Sequence, residues 1–455
     1  MKKNILIITC FLFILFRIPS LFEPYWHGDE GITLTVGQTI AKGAVLYRDI
    51  TDNKTPILYF IAALSGTLFN FKLIMLLVSL GALIAFVRLR DMVIQAPEYF
   101  SIILFAVLAG TPLLEANIAN AEIFMVLPIV LSFVSYLKKQ YILAGVFASV
   151  SFLLKQPGMF EMGALILYAW MLEKQYRTIV LKLIAGFSMP VAAVSLYFLA
   201  IGGFSSLISE GFINNILYTG SWYLITDPKL WMAIKVVGLG AFIWYLARSK
   251  RSYQSAELLL YLWLAFSLFG ATLSNRPYPH YLIQIIPPFA LLCGSIVLKK
   301  YHRVPVAILI AAIIFFSIAQ FKLYSGTLYY TYRYYTQFQS PTFFDEQVTS
   351  TEKISSYILK NTSDGEPIFV WSDNSLIYAQ TKRPPATKYI SAYHIAGNIS
   401  REEEVIQTLR SNPPGIIVIT RPIDHPFDSL LILVDMRYNL AVAGEQFDIY
   451  KLEND

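Results

Sequence analysis

Long apolar stretches recur along this 455-residue chain, and they decide most of what it can fold into. The first, Asn4–Phe22, follows Lys2 and Lys3. Others occupy 71–87, 98–114, 121–137, 141–157, 158–173, 179–201, 229–247, 256–273, 281–298 and 304–321. A helix needs roughly 20 apolar residues to cross bilayer hydrocarbon, so the pattern predicts an α-helical polytopic membrane protein with about 11 transmembrane helices. Composition agrees: 15% of residues are charged, against about 25% in soluble domains. That excludes a disordered chain and argues against a soluble enzyme. Arg17-Ile-Pro-Ser-Leu-Phe-Glu-Pro holds no small-residue cleavage site, so the first run reads as an uncleaved span rather than a signal peptide. The piece 57–70 is apolar, but Asn70 and Lys72 interrupt its continuation into 71–87, so it is expected to tilt or to lie at the interface. Cys10 and Cys293 both sit in apolar runs, which excludes a disulfide framework.

Charge sets the expected orientation. Residues 1–322 carry 25 basic and 14 acidic side chains, and residues 323–455 carry 11 and 16. The basic excess therefore belongs to the membrane part, where it reports orientation and gives no nucleic-acid footprint. With the N-terminus cytoplasmic, alternate connections contain Arg88 and Arg90; Lys138 and Lys139; Lys174, Arg177 and Lys182; Arg248, Lys250 and Arg251; Lys299, Lys300 and Arg303. Every such loop holds at least two cations, as the positive-inside rule requires. The segment 23–56, the stretch 114–121, the Lys155–Gly158 turn, the loops 202–228 and 274–280, and the tail then lie outside the cytoplasm.

The chain divides into three parts: a membrane domain at 1–322 with a polar first outer loop at 23–56, a tyrosine-dense interfacial linker at 323–345, and an extracytoplasmic α/β domain at 346–455. In the tail, helical spacing over 346–360, 403–409 and 427–437 alternates with apolar strands at 367–371, 415–420 and 447–451. There is no solenoid repeat, Walker A loop or G-x-G-x-x-G.

Polar residues that carry chemistry gather on the expected outer face. The first loop reads Trp26-His-Gly-Asp-Glu-Gly31, then Tyr47-Arg-Asp-Ile-Thr-Asp-Asn-Lys-Thr-Pro56. The adjacent acids Asp29 and Glu30 suit a general-base step on a hydroxyl or a share in a metal site; the plain alternative is a wet surface loop. Asp52 and Lys54 lie close by. Glu122 opens a span, where an acid is expensive unless it works or caps its helix. Lys155 stands in a Lys-Gln-Pro-Gly turn, either snorkelling or holding a phosphate. Arg276 offers a fork suited to phosphate, and His280 and Tyr281 offer further polar groups. His27, Asp29, Glu122 and His280 are a candidate set for a divalent metal ion, though not spaced as a zinc motif; no nucleotide-sugar fold is required. A transporter would place ionisable groups at mid-membrane, where Glu161 is the main exception.

An acid pair after the first span, followed by Gly43-Ala-Val-Leu-Tyr47-Arg48-Asp49-Ile-Thr-Asp52-Asn-Lys54-Thr-Pro56, resembles the GT-C superfamily of membrane glycosyltransferases. The likeness is to the bacterial branch related to protein O-mannosyltransferases and lipid A aminoarabinose transferases. It extends to Asn-Ala-Glu122, the Lys155-Gln-Pro turn, His280-Tyr281 and the α/β tail; the aminoarabinose transferases tend to have Lys-Gly-Pro at the turn. The resemblance implies transfer of a sugar from a polyprenyl-phosphate donor to an acceptor hydroxyl outside the cytoplasm, usually with inversion. It implies Asp29 as the catalytic acid of the first loop, Lys54 and Lys155 as donor-phosphate contacts, Arg48 and Tyr281 as residues shaping that site, and Glu122 as the second acidic motif. Lipid, glycan and protein acceptors stay open, in a cell-membrane setting with no nucleic acid involved. A flippase for lipid-linked sugars without bond-making, or a membrane scaffold whose tail binds a partner, are the competing readings.

Overall fold

The structure is a computed structural model and describes residues 2–94, 98–215, 228–249, 253–298, 303–337, 347–423 and 425–453. Lys250, Arg251, Lys299 and Lys300, the part 216–227 of an expected outer loop and the end of the expected linker, 338–345, lie outside the described residues.

The N-terminal part is helical. It runs through α1 (Lys2–Arg17), α2 (Gly28–Ala41), α3 (Pro56–Ser65), α4 (Leu68–Val93), α5 (Phe100–Gly110), α6 (Ala121–Leu137), α7 (Tyr141–Leu154), α8 (Phe160–Leu172) and α9 (Tyr176–Ala200). Further helices come next at Pro228–Ser249, Ser255–Ala271, Ile286–Leu298 and Arg303–Gln337. Among the described residues five helical segments are long and apolar enough to cross a membrane: Asn4–Phe22, Leu68–Val93, Tyr176–Ala200, Lys229–Ser249 and Pro279–Val297. Shorter apolar helices, α6 and Ser255–Ala271 among them, pack with these around one core that includes Phe71, Phe124, Phe133 and Trp263. The chain is a multi-pass membrane protein.

Local sequence sets the breaks. The piece expected to tilt, 57–70, is the separate helix α3 followed by the start of α4. Pro56 opens α3, and Gly66, with φ +62°, closes it. The Thr67 hydroxyl then caps α4 by accepting from the Asn70 backbone N–H. The helices α7 and α9 approach so closely that a methyl at Gly145 would collide with the Leu183 carbonyl, and one at Gly186 with that of Ile142. Small residues allow such approach within lipid, where packing rather than the hydrophobic effect holds helices together. The tyrosine-dense segment 324–335 continues the helix Arg303–Gln337.

The tail is an α/β layer structure. Four strands, β1 (Phe369–Trp371), β2 (Ile416–Thr420), β3 (Tyr438–Ala443) and β4 (Phe447–Leu452), lie in the order β1-β2-β4-β3. The β1–β2 pair is parallel, and the other two pairs are antiparallel. Side chains alternate faces along a strand, so Val370 and Val418 pack with Ile354, Ile358 and Ile377, whereas Trp371 and Ile419 pack with Val405, Leu430 and Val434. The sheet is thus covered by helices on both faces.

This tail sits on the first loop. The helix Leu376–Thr381 packs along α2, where a methyl at Gly31 would meet Leu376 at 2.9 Å. Thr51 donates its backbone N–H to the Lys388 carbonyl at 2.8 Å, and Gln38 Nε2 donates to the Ala379 carbonyl at 3.1 Å.

Candidate active site

The first loop folds its polar residues inward at two points. Asp29 and Glu30 occupy the first turn of α2, where the N-terminal end of the helix dipole favours negative charge. Asp52 and Lys54 precede α3 in a segment pinned by two buried tyrosines. Tyr47 Oη donates to the Lys54 carbonyl at 2.6 Å, and the Lys54 backbone N–H donates to Tyr59 Oη at 3.1 Å. The Lys54 ammonium is thereby placed between two carboxylates, 3.0 Å from Asp29 Oδ1 and 3.3 Å from Asp52 Oδ2. Tyr59 Oη also donates to Asp52 Oδ2, at 2.5 Å.

Burial and charge oppose one another here, and charge wins. Burial alone would raise the Asp29 carboxyl, but Lys54, His27 and His280 outweigh it and hold the group below the usual carboxylate range. Asp52 is depressed in the same way, with Lys54, His394 and Tyr59 overcoming burial. Burial works against the Lys54 ammonium, yet Asp29 and Asp52 hold it charged well above its ordinary range. Asp52 is fully buried, whereas the Asp29 side chain keeps about a third of its surface exposed, so Asp29 is the acid a ligand can reach.

Glu30, expected to share the chemistry, points elsewhere. Successive helical residues are turned about 100° apart. Its carboxylate is buried beside Lys72 (3.4 Å) and accepts from the Ala119 backbone N–H at 2.7 Å. Lys72 also pairs with Glu23 at 2.7 Å, and Asn117 Nδ2 donates to Glu23. Burial pushes the Glu30 carboxyl up despite Lys72. This closed network ties the first loop to α4 and to the segment before α6.

A second polar group adjoins the first. Glu122 opens α6 and pairs with Lys155. The backbone at Lys155 turns extended after α7, and leads into a short 3-10 turn, Gln156–Met159. Gly158 is required there, since a methyl would stand 2.6 Å from the Ser151 carbonyl. Lys155 Nζ also lies 4.3 Å from the centre of the Tyr281 ring. His280 Nδ1 is 2.5 Å from Glu115 Oε2, and its Nε2 is 3.9 Å from Glu122 Oε1. Gln156 Nε2 and Asn215 Nδ2 both reach the Asn53 carbonyl, at 3.4 and 2.6 Å, fastening this turn to the first loop. His280 contributes to the field at Asp29, and Lys54 to the field at Lys155.

The structure therefore brings together Asp29, Asp52, Lys54, Glu122, Lys155, His280 and Tyr281. Arg48 is not among them. The left-handed backbone at Tyr47 (φ 68°) sends the tyrosine inward and leaves Arg48 on the surface, paired with Asp49 at 2.7 Å. Arg276 is half-buried four residues before His280, its backbone N–H on Ser274 Oγ at 3.4 Å. Sequence reasoning does not single out Glu23, Lys72, Tyr59 or His394; a lysine within an apolar run is the available signal for Lys72. For the suggested divalent ion, no group of three or more His, Cys, Asp or Glu side chains among the described residues is disposed to hold a metal. Lys54 fills the space between Asp29 and Asp52, and Lys155 takes up Glu122.

Fold and site together define a class: a multi-pass membrane protein with a polar first loop roofed by a small α/β domain. The solved structures agree. ArnT from Cupriavidus metallidurans bound to undecaprenyl phosphate superposes with a TM-score of 0.61 at 12% identity, covering 99% of this chain and 98% of that one. The same protein in the apo state gives 0.62 at 10% identity with the same coverage. The Archaeoglobus fulgidus oligosaccharyltransferase tethered with an acceptor peptide is a looser likeness, with a TM-score of 0.49 at 13% identity, covering 99% of this chain and 74% of that one. No protein-family model and no curated protein sequence matches the chain. The chain thus has the fold of ArnT, in keeping with the resemblance carried by its motifs.

Proposed function

We propose that this protein is an integral membrane glycosyltransferase that moves a sugar from a polyprenyl-phosphate donor to an acceptor hydroxyl, with inversion. The observation that carries the reading is the Asp29–Lys54–Asp52 arrangement lying against Lys155 and Glu122. It offers one reachable carboxylate beside two cations, the minimum for activating a hydroxyl while neutralising a phosphate. The fold shared with a protein crystallised with undecaprenyl phosphate supports the donor class. The positive-inside pattern supports a cytoplasmic N-terminus, about 11 crossings, and an extracytoplasmic site and α/β domain.

In this mechanism the donor phosphate takes Lys54 and Lys155 as its partners, with Arg276 approaching from the loop before His280. Tyr281 keeps Lys155 in place, and Arg48 sits outside the contact shell. Drawing Lys54 toward the phosphate loosens its hold on Asp29, whose basicity then rises where the acceptor hydroxyl arrives. The acceptor oxygen bonds to the anomeric carbon as that carbon's bond to the phosphate oxygen breaks, and the hydroxyl proton passes to Asp29. Polyprenyl phosphate departs with its charge matched by the lysines, an electrostatic contribution that grows as the bond breaks. Asp52 restrains Lys54, Glu122 and His280 restrain Lys155, and Glu30 fixes the turn of α2 that carries Asp29. Membrane lipids surround the donor's tail; the acceptor is a lipid, a glycan or a protein hydroxyl.

Sugar transfer from a panel of radiolabelled polyprenyl-phosphate sugars, in membranes holding wild type or Asp29→Asn, tests the reading. Transfer by wild type that is lost in a correctly inserted variant is the expected result. Donor moved across the bilayer but left intact by wild type establishes a flippase and refutes the enzyme.

A further inference from the structure

Asp52 has a neighbour that the membrane part does not supply. His394 comes from the C-terminal domain, and its Nε2 stands 3.4 Å from Asp52 Oδ1. Asp52 Oδ2 already accepts from Tyr59 and Lys54. Among the described residues Asp52 Oδ1 has no hydrogen-bond partner, nor has either ring nitrogen of His394, although all three atoms are buried. Buried polar atoms left facing one another in this way call for an explanation.

The turn that carries His394 is braced as if its placement matters. Asp373 Oδ1 accepts from the Ser391 hydroxyl at 2.9 Å and from the Tyr393 backbone N–H at 2.8 Å, and His425 Nε2 lies 3.1 Å from Asp373 Oδ2. Arg401 Nη1 donates to the His394 carbonyl at 2.6 Å, and its Nη2 reaches across to Glu210 Oε2 at 3.7 Å. The Tyr393 ring leans on the imidazole, 4.1 Å between centres, and its hydroxyl contributes to the field at Lys54. The groups around His394 are thus Asp52, then Lys54 and Tyr59 behind it, with Tyr393 and Arg401 on its own domain.

We propose that His394 is a positioning residue of the site: it engages the second oxygen of Asp52 and so leaves the Lys54 ammonium shared with Asp29. Without it, a fully buried carboxylate has one oxygen unsatisfied. Lys54 then closes on Asp52 and away from Asp29, so it neutralises less of the charge that develops on the leaving phosphate, while Lys155 still holds the donor in the ground state. The C-terminal domain is on this view part of the catalytic apparatus, since the residue that sets the lysine belongs to it. The inference rests on the glycosyltransferase reading for its consequence, but not for the contact itself.

Four variants of the full chain in nanodiscs test it: His394→Phe, His394→Gln, Asp52→Asn and His394→Phe with Asp52→Asn. Gln keeps a donor near the Nε2 position; Phe keeps the volume alone. His394→Phe should lower kcat roughly tenfold, the scale of one charge-assisted hydrogen bond, with KM for the donor within about twofold of wild type. His394→Gln should restore most of that loss. Melting shifts of His394→Phe, Asp52→Asn and their double variant, each taken against wild type, should be non-additive, as for groups in contact. Equal impairment by Phe and Gln, or a Phe variant as active as wild type, overturns the positioning role. Additive melting shifts overturn the contact, whatever the transfer assay gives. A wild type that transfers no sugar from any donor overturns the enzyme reading, and the melting cycle then decides the contact by itself.

Discussion

Asp29 and Glu30 are neighbours in sequence with opposite surroundings, and Glu30→Gln set beside Asp29→Asn separates their roles. Glu30 accepts from the Ala119 N–H at 2.7 Å and stands 3.4 Å from Lys72, which keeps Glu23 at 2.7 Å when Glu30 is neutralised. A glutamine retains a carbonyl for Ala119 and gives up one of the two charges facing Lys72. The cost is therefore one weakened charge-assisted hydrogen bond, about 1.5–3 kcal/mol of stability, rather than an orphaned buried charge. Asp29→Asn removes an acid that makes its polar contact with Lys54, which still holds Asp52 at 3.3 Å. Its melting should change little, while the loss of a general base lowers kcat by about 10²–10⁴-fold. The assay is sugar transfer in nanodiscs with a thermal melt on the same preparation. Glu30→Gln is expected to melt earlier with kcat within about threefold of wild type, since no step of the chemistry passes through it. If Glu30→Gln melts like wild type yet loses as much kcat as Asp29→Asn, the assignment of one acid to chemistry and the other to support is refuted.

Three more outcomes are expected. Lys72→Met leaves Glu23 and Glu30 buried together without their cation, which should cost about 3–5 kcal/mol, read as a lower melting midpoint; adding Glu23→Gln and Glu30→Gln should recover much of it, and an undisturbed midpoint in the single variant contradicts the network. Lys54→Met removes the largest influence holding Asp29 below the usual carboxylate range. A depressed carboxyl is active above its pKa and loses activity as pH falls through it, so the variant's residual activity should fall away at a higher pH than that of wild type; an acid limb of kcat/KM that stays in place or moves down is the contrary result. Gly145→Val sets a side chain against the Leu183 carbonyl and should cost several kcal/mol by overpacking, seen as lost monodispersity in detergent, whereas the same change at Gly238, where the added carbon meets nothing within 4 Å, should be tolerated.

Hydrophobic pattern made much of the fold legible, because lipid punishes any other arrangement. The run 121–137 coincides with α6, and the strands around 369–371, 416–420 and 447–452 were visible as apolar runs. The edge strand Tyr438–Ala443 was not, because most of its side chains are exposed and one register irregularity breaks its alternation. The piece at Leu376–Thr381 is too short to show a helical period. At the site, Asp29, Asp52 and Lys54 stand out in sequence because all three belong to one polar segment, 23–56, set between apolar runs. Arg48 stands apart from them because a single left-handed residue, Tyr47, sets which side chains face in, something the sequence does not announce.

The part made by tertiary docking is the part that sequence alone could not yield. Thr35 and Ser375, Gln38 and Ala379, and Thr51 and Lys388 meet across more than 330 positions. No local period announces such a meeting, and Ser391-Ala-Tyr-His394 reads alone as an ordinary polar turn. The pairing nonetheless has a cause that local chemistry supplies. A loop that buries Asp52 completely needs something to face both carboxylate oxygens, and the residues of 23–56 face only one of them. A neighbouring surface that offers a ring nitrogen to the other is selected by the cost of leaving that oxygen dry. The acid in the first loop and the histidine in the tail are therefore one feature divided between two ends of the chain. The same logic explains why Lys72 lies within an otherwise apolar helix: Glu23 and Glu30 are buried in the loop it faces, and a cation from α4 is what makes that burial tolerable.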